Sequence, residues 1–567
     1  MRCLPALLLA AATAVLPLQA ATVDTTPVPP KRTGSPLPEH WHRGAFMEIF
    51  VRAWKDSNGD GIGDLRGLTS TLDDLKDLGI RGIWLMPIQT NADGDHGYAT
   101  TDFRGVAPEY GTLADFDELI KQAHRRGIGV VMDYVINHSA REHPAFGEAL
   151  KGEANPYRGW YVWRTQMPTG WDIWGKNPWY AAEARPWDFN GELKDMPPPP
   201  PGARNFYFGT FGPHMPDFDL TNPVVWKYHE DSLRFWLERG LDGYRLDAVP
   251  HMVERDAKNW NDQPESRVLT KRLQDLIKTY RHRYVVCEAT AEPRIYGDSA
   301  VCGGAFAFGF VQHYVGAAKG DAASVGHVAG YFAQPHRPEM ATFISNHDIF
   351  AGRRLWDQLD GYPDREARYK LAAAGYLLQP GTPFVYYGEE IGQAGVNTLE
   401  ADLPLRSPRS WTADARSGGF TSGAPFRPLA PNVATHNVAA QRGDPNSIRS
   451  FYKAMIALRN AHPSIARGSY EAPFAQGAVA SWQRKLGTEH TVVVLNYGTA
   501  ATAVTVPRLP PRARLEPLWP RHGLRSRAGA DGMAPLLLPP QSVTVHRIVV
   551  PPPKRARRAA GAPASSA

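Results

Sequence analysis

Short apolar runs of strand character alternate with helical patterns from residue 45 to residue 387, and this alternation constrains the fold more than any other feature. The strand readings are 45–50, 80–86, 128–136, 242–247, 283–288, 340–345 and 383–387. Four of them follow stretches with apolar residues at helical spacing: 65–78, 113–126, 224–239 and 268–280. Strands that alternate with helices form a parallel sheet, and about eight such units close into a (β/α)8 TIM barrel.

A chain of 567 residues is too long for one compact core. Residues 39–138 and 214–462 read as two parts of the barrel. Between them, after the third strand, residues 139–213 read as an inserted B domain. It holds Trp160, Trp163, Trp171, Trp174, Trp179 and Trp187, and the proline run 197–201. Most of these indoles are expected in a core, with one or two turned to a ligand. After residue 462 the pattern changes. Runs at 478–482, 491–496, 501–506 and 543–550 alternate or are β-branched, with Gly and Pro between them. Residues 463–550 therefore read as a C-terminal antiparallel β-sandwich domain.

The ends are compositionally distinct. Residues 1–20 read as a signal peptide, with Arg2 ahead of an apolar run too short to span a membrane. No later segment has the length and apolarity of a transmembrane helix. Residues 21–38, rich in Thr and Pro, read as a flexible leader. Residues 551–567 read as a disordered basic tail carrying Lys554, Arg555, Arg557 and Arg558. These four and Arg2 supply nearly all of the net charge of +6, so the body is almost neutral and offers no nucleic-acid groove. The expected product is exported, periplasmic or extracellular, and monomeric, with no membrane partner. Removal of the signal takes Cys3 and leaves Cys287 and Cys302. An exported protein can pair them. A fold of this size needs no staple, and two buried thiols are the favoured reading.

Chemistry on a parallel barrel sits at the carboxyl ends of its strands. Asp133 lies in the third strand, with Asn137 and His138 beyond it. Asp247 ends the fourth, two residues after Arg245, and Glu288 ends the fifth. His347 and Asp348 follow the seventh. Acids at three separate strand ends, beside an arginine and two histidines, form a far less accidental set than any one of them.

In series these residues resemble the motifs of the α-amylase family, glycoside hydrolase family 13. Asp133, Asn137 and His138 resemble its first motif. Gly243, Arg245, Asp247 and His251 resemble the second, Glu288 the third, and Ser345, His347 and Asp348 the fourth. Residues 82–87, His96 with Tyr98, and 215–219 resemble secondary signatures, and the resemblance covers roughly residues 45–460. It implies that Asp247 is the nucleophile forming a covalent glucosyl intermediate. Glu288 is then the acid that protonates the leaving oxygen and afterwards deprotonates water. Asp348 would grip hydroxyls of the reacting ring, with His138, His347, Arg245 and His251 as further substrate contacts and Tyr98 stacked under the ring. Retaining chemistry of this kind needs the two carboxyls about 5–5.5 Å apart, one ionised and one protonated.

The segment 56–64 places Asp56, Asn58, Asp60, Ile62 and Asp64 at alternate positions. Such spacing suits a hard cation, most plausibly Ca²⁺, though Gly67 at the twelfth position excludes an EF-hand. The resemblance implies a structural calcium here, with Ile62 contributing its carbonyl. The leading expectation is a secreted retaining α-amylase acting on α-1,4 bonds of an α-glucan or maltooligosaccharide. An exported bacterial type is favoured by the signal, by residues 83–87, and by Ser345–Asp348 ahead of Arg353 and Arg354. Within the resemblance, Ala248 after the nucleophile goes with α-1,4 rather than α-1,6 specificity. Pro250 replaces a lysine of many endo-amylases, and the run 247–250 is also similar to that of trehalose synthases and α-glucosidases. The alternative is therefore an α-glucosidase or a transglycosylase such as trehalose synthase. The alternative of another class, a noncatalytic amylase-like binding scaffold, usually lacks a catalytic carboxylate, and this chain keeps all three.

Overall fold

The computed structural model describes residues 22–182, 205–334 and 339–551. Trp187, the proline run, the signal peptide and nearly all of the basic tail lie outside the described residues.

Eight parallel strands form the centre: β1 (Phe46–Ile49), β2 (Gly82–Leu85), β3 (Gly129–Tyr134), β4 (Gly243–Leu246), β5 (Tyr284–Cys287), β6 (Ala305–Phe306), β7 (Met340–Ala341) and β8 (Phe384–Tyr386). Each of β1 to β7 neighbours the next, and β8 returns to β1, with Phe46 opposite Phe384. A parallel bridge between Thr342 and Pro383 closes the ring between β7 and β8. All of these strand residues are buried, as expected for strands covered by helices outside and filled by side chains inside.

Local sequence explains the register. At β4 the first residue is Gly243, with φ of 151°. A Cβ there would sit 1.7 Å from the Tyr284 carbonyl oxygen on β5. Only glycine lets β4 lie this close, which sets Arg245 opposite Val286 and Leu246 opposite Cys287. The helix Leu113–Arg125 ahead of β3 starts in a capping box of Thr112 and Asp115 and buries Phe116, Leu119, Ile120 and Ala123. Asn222 caps Pro223–Glu238, the helix ahead of β4.

Four expectations need correcting. The helical stretch 65–78 is two helices, Leu65–Ser70 and Leu72–Leu78. The hydroxyls of Thr69, Ser70 and Thr71 bond back to carbonyls three or four residues earlier, and Thr71 also accepts the Trp54 indole N–H at 2.7 Å. The sixth strand, absent from the readings above, is only two residues long, in the short apolar run 305–308 behind Gly303 and Gly304. Residues 22–38 are bound to the barrel rather than free. Ser35 donates to buried Asp242 at 2.5 Å, Arg283 donates to Thr33 O at 3.0 Å, and Arg104 donates to Thr26 O at 2.8 Å. Cys287 and Cys302, favoured above as thiols, are joined in a disulfide.

After β3 the insertion forms a three-stranded sheet of Trp163–Arg164, Phe206–Phe208 and Trp179–Ala181, with the middle segment central. Trp160 and Trp179 are buried, whereas Trp174 is 62% exposed. Beyond Pro463–Arg467, strands from Ser469–Gln476 to Ser542–Val549 build a six-stranded antiparallel-paired sheet and a two-stranded one. Val479, Val492, Val494, Val504 and Leu536 pack between the two sheets. Trp482 and Val493 face the other way into the barrel's own core. No helix among the described residues is long and apolar enough to cross a membrane.

Candidate active site

The carboxyl ends of the strands deliver a continuous polar cluster. Arg245, nearly fully buried, donates to Asp133 at 2.8 Å, to Asp247, and pairs with Glu288 at 2.9 Å. One guanidinium touching both Asp247 and Glu288 restrains them toward the short spacing, about 5–5.5 Å, of double displacement. Ala248 follows Asp247 in a left-handed conformation, φ 48° and ψ 30°. That turn aims its N–H at Glu288 at 3.1 Å. A non-glycine residue held there is strained, as backbone often is at a working site.

Burial pushes the Asp247 carboxyl well above the usual carboxylate range, and Arg245 opposes the rise. Burial likewise brings Asp133 up to about 6 against the same arginine. Burial therefore makes both Asp133 and Asp247 hold a proton more readily than a free carboxyl.

A second chain of bonds enters from β1. Glu48 lies 2.6 Å from His347 Nδ1; His347 Nε2 lies 2.8 Å from the Tyr98 hydroxyl and 3.2 Å from Asp348. Tyr98 donates to Asp133 at 2.8 Å. Burial raises Glu48 and lowers His347 well below its ordinary value, and both shifts favour the uncharged forms. The chain of bonds fixes each member in orientation before substrate arrives.

These groups open into a cavity of about 700 Å³, lined by Tyr98, His138, Asp247, His251, Glu288 and Asp348 among others. The size suits a small sugar. Burial holds His138 down at about 3 and His251 at about 4, so both stay neutral. His138 Nε2 and His251 Nδ1 are buried and have no hydrogen-bond partner among the described residues. Trp174 from the insertion lines the same cavity, with its ring 5.6 Å from that of His251, and Phe350 lines it after β7. Asn137, within a glycosylation-like triplet, is buried and donates to Asp217 at 3.1 Å.

The structure adds residues that sequence reasoning missed. Arg406, after β8, bonds Asp95 at 3.2 Å, Asp348 at 3.3 Å and Asp402 at 3.1 Å, and donates to the His347 carbonyl at 3.0 Å. Arg427 bonds the other oxygen of Asp95 at 2.8 Å. Asp95 had a signal, lying three residues before Tyr98; Arg406, far from any motif, had none. Glu48 had one too, as the lone acid in a run that had to be buried.

Loop 56–64 lies apart from this cluster's bonds. Asp56 accepts from the N–H groups of Asn58, Gly59 and Gly61, and from the Thr421 hydroxyl. Asn58 accepts from Asp60 N–H at 2.9 Å and Asp60 from Ile62 N–H at 2.8 Å. Asp64 caps Leu65–Ser70 through Gly67 N–H at 2.7 Å. Among the described residues no three His, Cys, Asp or Glu side chains are gathered as a metal site. The hydrogen bonds leave further acceptor capacity on the oxygens, so the donor set suits a hard cation in kind, while its present geometry does not gather the three carboxylates.

Residues 48–468 match the profile described as Alpha amylase, catalytic domain. The Trehalose synthase/amylase TreS of Mycobacterium tuberculosis is 33% identical over 485 residues, covering 77% of this chain and 78% of that protein. The Probable alpha-glucosidase of Rhizobium meliloti is 30% identical over 537 residues, covering 84% and 92%. A trehalulose synthase crystal structure superposes with a TM-score of 0.75 at 26% identity, over 90% of this chain and all of that one. The profile takes in nearly the whole barrel and every carboxylate described around the cavity, and the chain belongs to the α-amylase family, glycoside hydrolase family 13.

Proposed function

We propose that this retaining enzyme acts on the non-reducing end of small α-1,4-linked glucosides, as an α-glucosidase or as a transglycosylase of the trehalose synthase kind. The Arg406 bridge carries this reading. It ties the loop after β2, through Asp95, to the loop after β8, beside Tyr98 and Asp348. Arg406, Asp348 and Asp402 line the cavity, so this ionic wall bounds one side of it. A site closed there takes a chain end, whereas an endo-amylase needs a groove open both ways. The names of the relatives, a trehalose synthase/amylase, a probable α-glucosidase and a trehalulose synthase, support the same class. The α-amylase expected from the motifs fits less well, although the first of those names includes that activity. The test is a maltooligosaccharide with its non-reducing end chemically blocked. An exo enzyme leaves it intact while cleaving the unblocked sugar; equal cleavage of both contradicts the proposal.

Two further parts of the reading concern the chain's setting. We propose that Asp56, Asn58, Asp60, Asp64 and the Ile62 carbonyl hold a structural calcium ion, supported by alternating oxygen donors on one loop. A chelator is then expected to lower the melting temperature, and calcium restores it. An unchanged melting curve, with no calcium found in the purified protein, contradicts the site. We propose export as well, supported by the pattern of residues 1–20 and by a disulfide, which persists in oxidising compartments. Intact mass from the native source is expected to give a chain beginning at Ala21; a retained signal in a cytosolic protein argues against it.

A further inference from the structure

The acid Glu288 follows a strand that is laced unequally on its two sides. On one side β5 lies along β4 for its whole length, from Tyr284 opposite Gly243 to Cys287 opposite Leu246. On the other side it meets the two-residue β6 only at Cys287 and Ala305. The polar contacts of Glu288 come from the β4 side as well: the Arg245 guanidinium at 2.9 Å, the Ala248 N–H at 3.1 Å, and its own N–H to the Leu246 carbonyl at 2.9 Å. Toward β6 the ladder is that single bridge, with Cys287 N–H donating to Gly304 O at 2.9 Å.

The disulfide lies at that bridge. Tyr284 and Val286 belong to the cluster inside the barrel, whereas Val285 and Cys287 belong to the outer core. Cys287 thus points outward, the next residue, Glu288, points inward, and Cys302 stands immediately before Gly303 and β6. Both cysteines are fully buried. The bond closes the segment 287–302, which includes Thr290 on the cavity wall and Glu292 at a left-handed φ of 45°.

We infer that the Cys287–Cys302 disulfide is a positioning element for Glu288, reinforcing the single-bridge ladder of β5 toward β6, so that full activity requires the oxidised pair. The inference rests on the family role of Glu288 and not on whether the acceptor is water or sugar. Misplacing a catalytic group by about 1 Å can lower the rate roughly 100-fold, so a small slip of this strand end is enough.

The test uses the full chain. Peptide mapping without reductant is expected to show 287 and 302 cross-linked; two free thiols overturn the inference. Cys287→Ala, Cys302→Ala and the double variant are then compared on an aryl α-glucoside, well below their melting temperatures. Because one bond is lost in each, all three are expected to lose kcat by the same factor, about 10- to 100-fold, with little change in KM. The alkaline limb of kcat/KM, which reports the acid, should move with it. In a Glu288→Gln background Cys302→Ala should cause no comparable further loss. Wild-type kcat and pH profile in the variants, with only a lower melting temperature, overturn the inference. Should the alanine variants not fold, wild-type protein is reduced by a dithiol, which is oxidised to its cyclic disulfide as two thiols form, and then alkylated. Undiminished activity of that folded, alkylated protein overturns the inference equally.

Discussion

Arg245 touches Asp133, Asp247 and Glu288, and one positive charge cannot offset three negative ones in a buried place. The division of labour follows from that imbalance. Asp247 shares Nη1 with Asp133, while Glu288 meets Nη2 and the Ala248 N–H. The nucleophile must stay ionised and the acid protonated for a glycosidic oxygen to leave. Asp247→Asn is expected to abolish turnover, by at least about a thousandfold, with the fold retained. Glu288→Gln should lose natural substrates to a similar degree yet keep more activity on aryl glucosides, whose leaving group needs less help from a proton. Kinetics on both substrate types check this, and full activity in either variant contradicts the assignment. At this scale the sequence was most informative, because strand ends converge and acids at strand ends could be recognised. Asp247, Glu288, Asp348, Tyr98, His138, His251 and His347 all line or border one cavity. Arg406 was not legible: it reaches the site through a long loop whose path no local pattern specifies.

Among the elements, legibility followed the length of the apolar run. β3, six buried residues, could be read directly; β6, two residues behind a pair of glycines, could not. Hydroxyl residues decided the break after Ser70, a competition with helical hydrogen bonding that apolar spacing does not register. The segment after β8 shows how elements are locked behind the site. Glu389 accepts from Tyr376 at 2.7 Å and Tyr452 at 2.8 Å, which belong to the helices Arg365–Leu377 and Ile448–Ala461. It also accepts from Ser345, ahead of His347, at 3.1 Å. Burial pushes Glu389 up to about 7 from 4.5. Between those values the unfolded chain ionises this group while the folded chain holds its proton, so its contribution to stability falls as pH rises from 4.5 to 7. Glu389→Gln cannot ionise. Its stability relative to wild type is expected to improve by about 3 kcal/mol between pH 4 and pH 8. Denaturant melts at the two pH values check this, and a difference independent of pH contradicts it.

For the molecule as a whole, the barrel carries its reactive groups at one end and its ties to the leader at the other. Asp242, just ahead of β4, receives Ser35, His124 and Arg283, a buried polar knot on the floor rather than at the mouth. Composition could suggest a Thr- and Pro-rich leader but not these tertiary partners. The inserted domain contributes Trp174 to the cavity, whereas Trp160 and Trp179 serve its core, a division that the tryptophan count alone does not reveal. Beside Asp348 stands the ion-paired wall of Asp95, Arg406 and Arg427. A time-resolved product profile shows whether that wall confines attack to chain ends. Soluble starch, maltotetraose and maltose are each given to the purified enzyme, with products resolved by chromatography and their anomers by NMR. Attack at chain ends predicts α-glucose from the first minutes, or trehalose from maltose, with starch chains shortened only slowly. Early mixed maltooligosaccharides from starch, appearing before glucose, would contradict it.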